Sequence, residues 1–261
     1  MNLKFPIYII SKGRAYKPLT AKLFLDRGIQ FLIAVEPQEE QEYIDAVGKD
    51  NVLKLPFSNL GLGSYPARNF CWEHAKARGH KYHWLFDDNI QNWVKWIDGK
   101  RKRFNEIELA LQYVELNALK TNVDITGFEE PNFVVTIPKK PFKYNTHVYS
   151  AMLIKNRMPY RWRLKYNEDV DLCLQVLHNG GSTSSCKYYM ADKVSTAVKM
   201  KGGNQTELYQ GNDPKKNLLK AKMLESVWPQ YVRTVIKFNR HHHQINWKQF
   251  SKNKINETES T

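Results

Sequence analysis

Cysteine is scarce in this chain. Cys71, Cys173 and Cys186 are the three in 261 residues, and no two stand in C-x-x-C spacing. That removes both a zinc framework and a disulfide scaffold from consideration. It suits small core thiols in a reduced, cytoplasmic protein. Long apolar runs are also missing, since no stretch approaches the roughly 20 apolar residues of a membrane span. The opening MNLKFPIYII has one Lys, a short apolar run and no small-residue cleavage site. It reads as a first strand and not as a signal peptide. Acidic residues are few beside basic ones: 26 Asp and Glu against 40 Lys and Arg, a formal charge of +14. Such a surplus favours a polyanionic partner, nucleic acid before an anionic membrane. A generally basic, soluble surface is the plainer alternative. No basic amphipathic helix of membrane type is evident, so no membrane partner is expected.

What is present reads as a globular α/β chain. Hydrophobic residues make up 42% of the sequence, enough at this length for a sizeable core. Apolar, β-branched runs at 4–10, 31–35, 51–57 and 81–86 predict strands. Helical spacing fills 19–28, 36–48 and 67–79, and these segments stop at Gly28, Gly48 and Gly79. Strands separated by such helices imply a parallel sheet with right-handed crossovers. A hairpin is expected over 92–104 and a long helix over 104–122. Residues 123–166 are strand-rich, 167–181 helical and 186–198 strand-like. Loop and helix follow from about residue 199. One domain over 1–200 is expected, with a basic extension over 201–261 packed on it.

Four polar features fall at the ends of these strands. SKGRA supplies Ser11, Lys12 and Arg14 as donors after the first strand. Glu36 follows the second and could accept from a base or ribose. GLGSYPARN places Gly61 and Gly63 before Arg68 and Asn69, which open a helix whose dipole favours anions. KYHWLFDDNI then runs from a buried strand into Asp87, Asp88 and Asn89. Clustered side-chain oxygens suit Mg²⁺ or Mn²⁺, and strand carboxyl ends are where α/β folds bind ligands. Each feature also has a plainer reading as a basic loop, a first-turn acid or a polar turn.

Taken in order, ARN, WLFDDN, NEDVDL (167–172) and KGGN (201–204) resemble the GT-A glycosyltransferases. The PIYIISKGRA start is similar to the group of them associated with base-oxidising enzymes and phage DNA modification. The resemblance spans about three-quarters of the chain. It implies a GT-A-like fold: a mixed central sheet with a Rossmann-like N-terminal nucleotide-binding half. It implies a UDP-sugar donor, with arabinose favoured over glucose, held by Ser11, Lys12, Arg14, Glu36, Arg68, Asn69, Asp87, Asp88, Lys201, Gly202, Gly203 and Asn204. Mn²⁺ or Mg²⁺ is implied at Asp88 and Asn89; the family motif usually ends in Asp, where this chain has Asn89. Asp169 is the implied base, with Glu168 beside it. Both could instead complement a helix N-terminus.

The implied acceptor is double-stranded DNA carrying 5-hydroxymethylcytosine, in the host cytoplasm during phage infection, with no obligate protein partner. Lys100, Arg101 and Arg103 beside Trp93 and Trp96, and Arg161 and Arg163 around Trp162, interleave cations with aromatics. That pairing suits phosphates and unstacked bases; core packing is the other reading for the tryptophans. His241, His242 and His243 read as a solvated basic tail. A polysaccharide acceptor, or a non-catalytic nucleic-acid-binding protein on the same fold, are the competing readings.

Overall fold

Side chains alternate across the first strand, and that alternation sets the layers. In β1 (Ile7–Ile10) Ile7 and Ile9 enter one buried cluster and Tyr8 enters another. In β4 (Tyr82–Asp87) Trp84 and Phe86 join the first cluster and Leu85 the second. Successive residues of a strand face opposite sides of a sheet, so both faces must be covered. Helices α1 (Leu19–Leu25), α2 (Glu40–Val47) and α4 (Ile107–Thr121) cover one face; α3 (Tyr65–Ala77) and α5 (Glu168–His178) cover the other. The computed structural model describes residues 3–194, 201–203, 214–253 and 255.

Strands β2 (Leu32–Val35) and β3 (Val52–Lys54) run parallel to β1 and extend the sheet outward, while β4 lies parallel on β1's other side. This four-strand parallel half is the Rossmann-like half expected from the sequence. Beyond it the sheet becomes mixed. β9 (Ala151–Lys155) pairs antiparallel with β4, and β7 (Ile125–Glu129) antiparallel with β9. β10 (Thr183–Lys193) then runs parallel to β7 and antiparallel to the hairpin strand β5 (Ile90–Ile97). β6 (Lys100–Phe104) closes that side, and β8 (Phe142–Tyr144) pairs with β10 off the main path. The expected α/β class with a mixed central sheet is what the structure has. Among the described residues no helix is long and apolar enough to cross a membrane.

The C-terminal stretch departs from the loop-and-helix expectation. Helix α6 (Pro214–Val227) is followed by a two-stranded hairpin, β11 (Val232–Lys237) and β12 (Arg240–Ile245). Phe238 and Asn239 turn it with φ of 51° and 57°. Two successive positive φ values match the twist of a tight hairpin, but Phe is an unusual residue to supply one. Leu224, Trp228, Val232 and Phe250 pack on Val170, Leu174 and Leu177 of α5. The extension therefore lies against the helix that begins with Glu168 and Asp169.

His83 is wholly buried on β4, with Nδ1 2.6 Å from Asn156 Oδ1. Burial pushes its pKa down to about 4. The unfolded chain therefore binds a proton at this site between about pH 6.5 and pH 4, where the folded chain does not. Stability from this residue is full above pH 6.5 and falls as pH drops toward 4, by on the order of 3 kcal/mol. In urea unfolding across this window, His83→Gln should flatten the slope. An unchanged slope would remove His83 as its source.

Candidate active site

Carboxyl ends of the parallel strands and the start of α5 meet around one cavity of about 740 Å³. Ser11, Lys12, Arg14, Glu36, Arg68, Asp87, Asp88, Asn89, Glu168, Asp169 and Gly203 all line it. Residues picked from separate motifs thus share one wall. On the β2 side, Glu36 accepts from Lys12 Nζ at 3.1 Å, Gln38 Nε2 at 2.6 Å and the Asn59 N–H at 3.0 Å. Burial pushes the Glu36 pKa up, but these three donors outweigh it and hold the carboxyl below its usual range. Glu36 is an ionised acceptor at neutral pH.

Arg14 ties two distant segments together. Its Nη1 pairs with Asp88 Oδ1, while Nε and Nη2 donate to the carbonyls of Lys201 and Gly202 at 3.1 and 3.0 Å. The Gly203 N–H donates to the Lys12 carbonyl at 2.7 Å. The backbones come so close that a Cβ on Gly202 would stand 2.3 Å from the Gly13 oxygen, and both glycines have positive φ. Only glycine fits such an approach. The KGG segment therefore docks on the SKGR loop beside the cavity. Asn204 lies outside the described residues.

Arg68 is the second tie. It projects from the first turn of α3 and is buried. Nη2 donates to Asp87 Oδ1 at 2.9 Å, Nε donates to Ser64 Oγ at 3.1 Å, and Nε stands 3.4 Å from Glu168 Oε1. Ser64 Oγ in turn donates to Glu168 at 2.6 Å. Burial raises the Asp87 pKa, but Arg68 and then Lys193 outweigh it and leave the carboxyl below its usual range. Burial dominates at Glu168 and raises its pKa despite Arg68. The two carboxyls that Arg68 joins are thus pushed in opposite directions.

Asn69, one position further along the helix, points elsewhere. Its side chain donates to the Trp162 carbonyl at 2.8 Å and accepts from the Trp162 N–H at 3.1 Å. It clamps a loop and does not line the cavity, a correction that follows from the roughly 100° turn between helix neighbours.

The Asp-Asp-Asn cluster divides its labour. Asp88 is committed inside the protein: Arg14 takes one oxygen and Ser11 Oγ donates to the other at 2.5 Å. Asn89 donates to the Val194 carbonyl at 2.8 Å, and its Oδ1 is buried without a hydrogen-bond partner among the described residues. Asp87 has one carboxylate oxygen on Arg68 and lines the cavity beside it. Among the described residues no group of three or more His, Cys, Asp or Glu could hold a metal ion. Oxygen donors for a hard cation are Asp87 and the orphaned Asn89 carbonyl. That set fits a Mg²⁺-like ion, which keeps waters and substrate phosphates among its ligands.

Asp169 is half-buried in the cavity, its Oδ1 accepting from the Val170 N–H at 2.8 Å. Its charge acts on His147, Lys193, Lys220 and His243, of which the sequence singles out only His243, within the run read as a solvated basic tail. Burial pushes His147 down to about 4 and also lowers His243, so both rings are neutral at pH 7. His243 reaches the cavity because β12 is a strand and not a solvated tail. Lys193 pairs with Glu130 at 2.7 Å and donates to Ser150 Oγ at 2.7 Å. For His243 the signal was the three-histidine run, which reads as solvated.

The cationic candidates for an acceptor surface separate into two groups. Lys100, Arg101 and Arg103 are exposed on the edge strand β6. Arg161 pairs with Glu73 at 2.6 Å, and Arg163 with buried Asp171 at 3.0 Å. Trp93 and Trp162 are core residues, so neither offers a face to a base.

Breaking a buried pair by removing one partner costs about 3–5 kcal/mol. Arg68→Met should lose that much in urea unfolding, and Arg68→Met/Asp87→Asn should recover part of it. A single variant within about 1 kcal/mol of the parent would show that Arg68 is not the tie.

A family model described as TET-Associated Glycosyltransferase matches residues 5–203. Among solved structures, the chain is similar to a putative nucleotide-diphospho-sugar transferase from Desulfovibrio desulfuricans G20. The identity is 9% and the TM-score 0.41, over 88% of this chain and 98% of that one. A search of curated proteins finds no match.

Proposed function

The chain belongs to the TET-associated glycosyltransferase family, and on that premise we propose that it moves a sugar from a UDP-sugar to the hydroxymethyl group of 5-hydroxymethylcytosine in phage DNA. Arabinose is the favoured sugar and glucose the second. The observation that carries the reading is the convergence of Glu36, Arg14, Asp87 and Asp169 on one cavity.

Lys12 and Glu36 form the end suited to the nucleoside, where an ionised acceptor meets a donor. Ser11, Arg14 and Gly203 line the next stretch, where the Arg14 guanidinium brings positive charge to the diphosphate. A Mg²⁺ or Mn²⁺ ion held by Asp87 and the Asn89 carbonyl would, when bound, neutralise charge on the leaving diphosphate. Lys193, kept protonated by Asp87 and Glu130 against the pull of burial, adds a fixed positive charge at the same place. Asp169 takes the proton from the hydroxymethyl oxygen. That oxygen bonds to the anomeric carbon as the bond from that carbon to the diphosphate breaks, and UDP departs. Glu168, buried against Ser64 and Arg68, holds the start of α5 in place. Lys100, Arg101 and Arg103 supply phosphate contacts for the duplex.

The test is UDP release with hydroxymethylated DNA, unmodified DNA and no DNA, each with and without a chelator. Release should need the hydroxymethyl group and fall on chelation. Equal release with unmodified DNA would sink the acceptor assignment.

Removing a general base lowers rate on the order of 10²–10⁴-fold. Asp169→Asn should lower kcat by about that factor while leaving UDP-sugar affinity near the parent's, in single-turnover transfer beside donor titration. A variant within about threefold of the parent would take the base role from Asp169.

A further inference from the structure

Soluble proteins rarely turn several large apolar side chains outward on one loop unless something covers them. The loop from β7 to β8 does so. Phe133, Val135 and Ile137 are 64%, 70% and 60% exposed, while Val134 between the first two is 4% exposed. Phe133 closes a 3-10 turn over Pro131–Phe133, and after buried Val134 the chain stays exposed from Val135 through Thr136 to Ile137. Val134 anchors the loop, so its outward side chains are presented and not merely loose.

The neighbourhood indicates the occupant. Arg101 Nη1 on the cationic edge strand donates to the Pro131 carbonyl at 2.6 Å, tying the loop to the Lys100–Arg103 strip. Exposed Lys139 and Lys140 follow at the loop's far end. The apolar row is therefore flanked by positive charge on both sides, which complements a polyanion with an apolar interior. On its inner side Phe133 lines the cavity, its ring edge-on to Tyr149 at 6.0 Å. Behind it His147 and Tyr149 stack at 4.8 Å and 8°, and Trp247 lies 5.3 Å from His147. His147 Nδ1 and Tyr149 Oη are buried with no partner among the described residues. An aromatic wall with unsatisfied polar atoms suits a flat heterocycle with a hydrogen-bonding edge.

Resting on the acceptor reading above, we propose that Phe133, Val135 and Ile137 form a wedge that enters the base stack and delivers the modified cytosine, extruded, to the aromatic wall. The cavity that holds Asp169 has a volume of about 740 Å³, enough to receive an extruded nucleotide beside the base catalyst. Apolar side chains inserted between base steps unstack them, and cations on either side hold the phosphates while they do.

The experiment uses a duplex with 2-aminopurine next to a single 5-hydroxymethylcytosine, and the same target in a single strand and opposite an abasic site. The parent protein should raise 2-aminopurine fluorescence on binding the duplex. Val135→Ser/Ile137→Ser should remove that rise, and should lower the ratio of transfer to paired over unpaired target by about tenfold or more, since only the paired target must be unstacked. No fluorescence rise with the parent, or an unchanged ratio in the variant, overturns the wedge while leaving the acceptor reading intact. A parent protein that transfers sugar to none of the three DNAs overturns the acceptor reading, and the wedge with it.

Discussion

The Arg68 guanidinium holds the site together. It reaches from α3 to the end of β4 through Asp87 and to the start of α5 through Glu168. Helix α5 is far from α3 and β4 in sequence, and no backbone ladder joins α3 to α5. A buried ion group of this kind is not a strong source of net stability, because desolvation offsets much of its attraction. Its value is positional. It fixes the Asp87 carboxylate at the end of β4 and the N-terminus of α5 relative to each other from a single rigid fork. Its remaining nitrogen, Nη1, is buried with no partner among the described residues, and the ring of Trp162 lies 4.8 Å from the guanidinium. Arg68 is thus a tie that still has a donor unused.

Opposite charges are interleaved throughout the cavity. Arg14 answers Asp88, Arg68 answers Asp87, and Lys193 answers Glu130. Most of the +14 surplus therefore lies outside the site, on surfaces such as β6. That separation has a physical use. In the proposed reaction a leaving diphosphate would meet positive charges already held in place, with long-range attraction for a polyanion left to the exposed strand.

The N-terminal half was legible because its signals are local. Gly28, Gly48 and Gly79 end helices, and apolar runs alternating with them leave little choice but a parallel sheet. Asp87 was legible for the same reason, standing where a buried strand meets polar residues. Asn69 was misplaced because adjacency in a motif says nothing about which side of a helix a residue faces. For Trp93 and Trp162 the sequence left stacking and core packing both open, and burial decides for the core. The hairpin of β11 and β12 was illegible: a Phe at a left-handed turn position and a run of three histidines both argue against a strand. His147, Tyr149 and Lys220 could be found only through long-range packing, which one sequence does not display.

The far wall of the cavity comes from the last part of the chain. Lys220, Lys237, His243, Ile245 and Trp247 line it, all beyond the stretch matched by the family model. Chains are made from the amino terminus, and early segments fold first. During synthesis the nucleotide-facing half can therefore be in place while the opposite side is still open to water. The wall begun by the family-matched stretch is therefore completed by the last-made part of the chain, where the hairpin of β11 and β12 lies against the cavity.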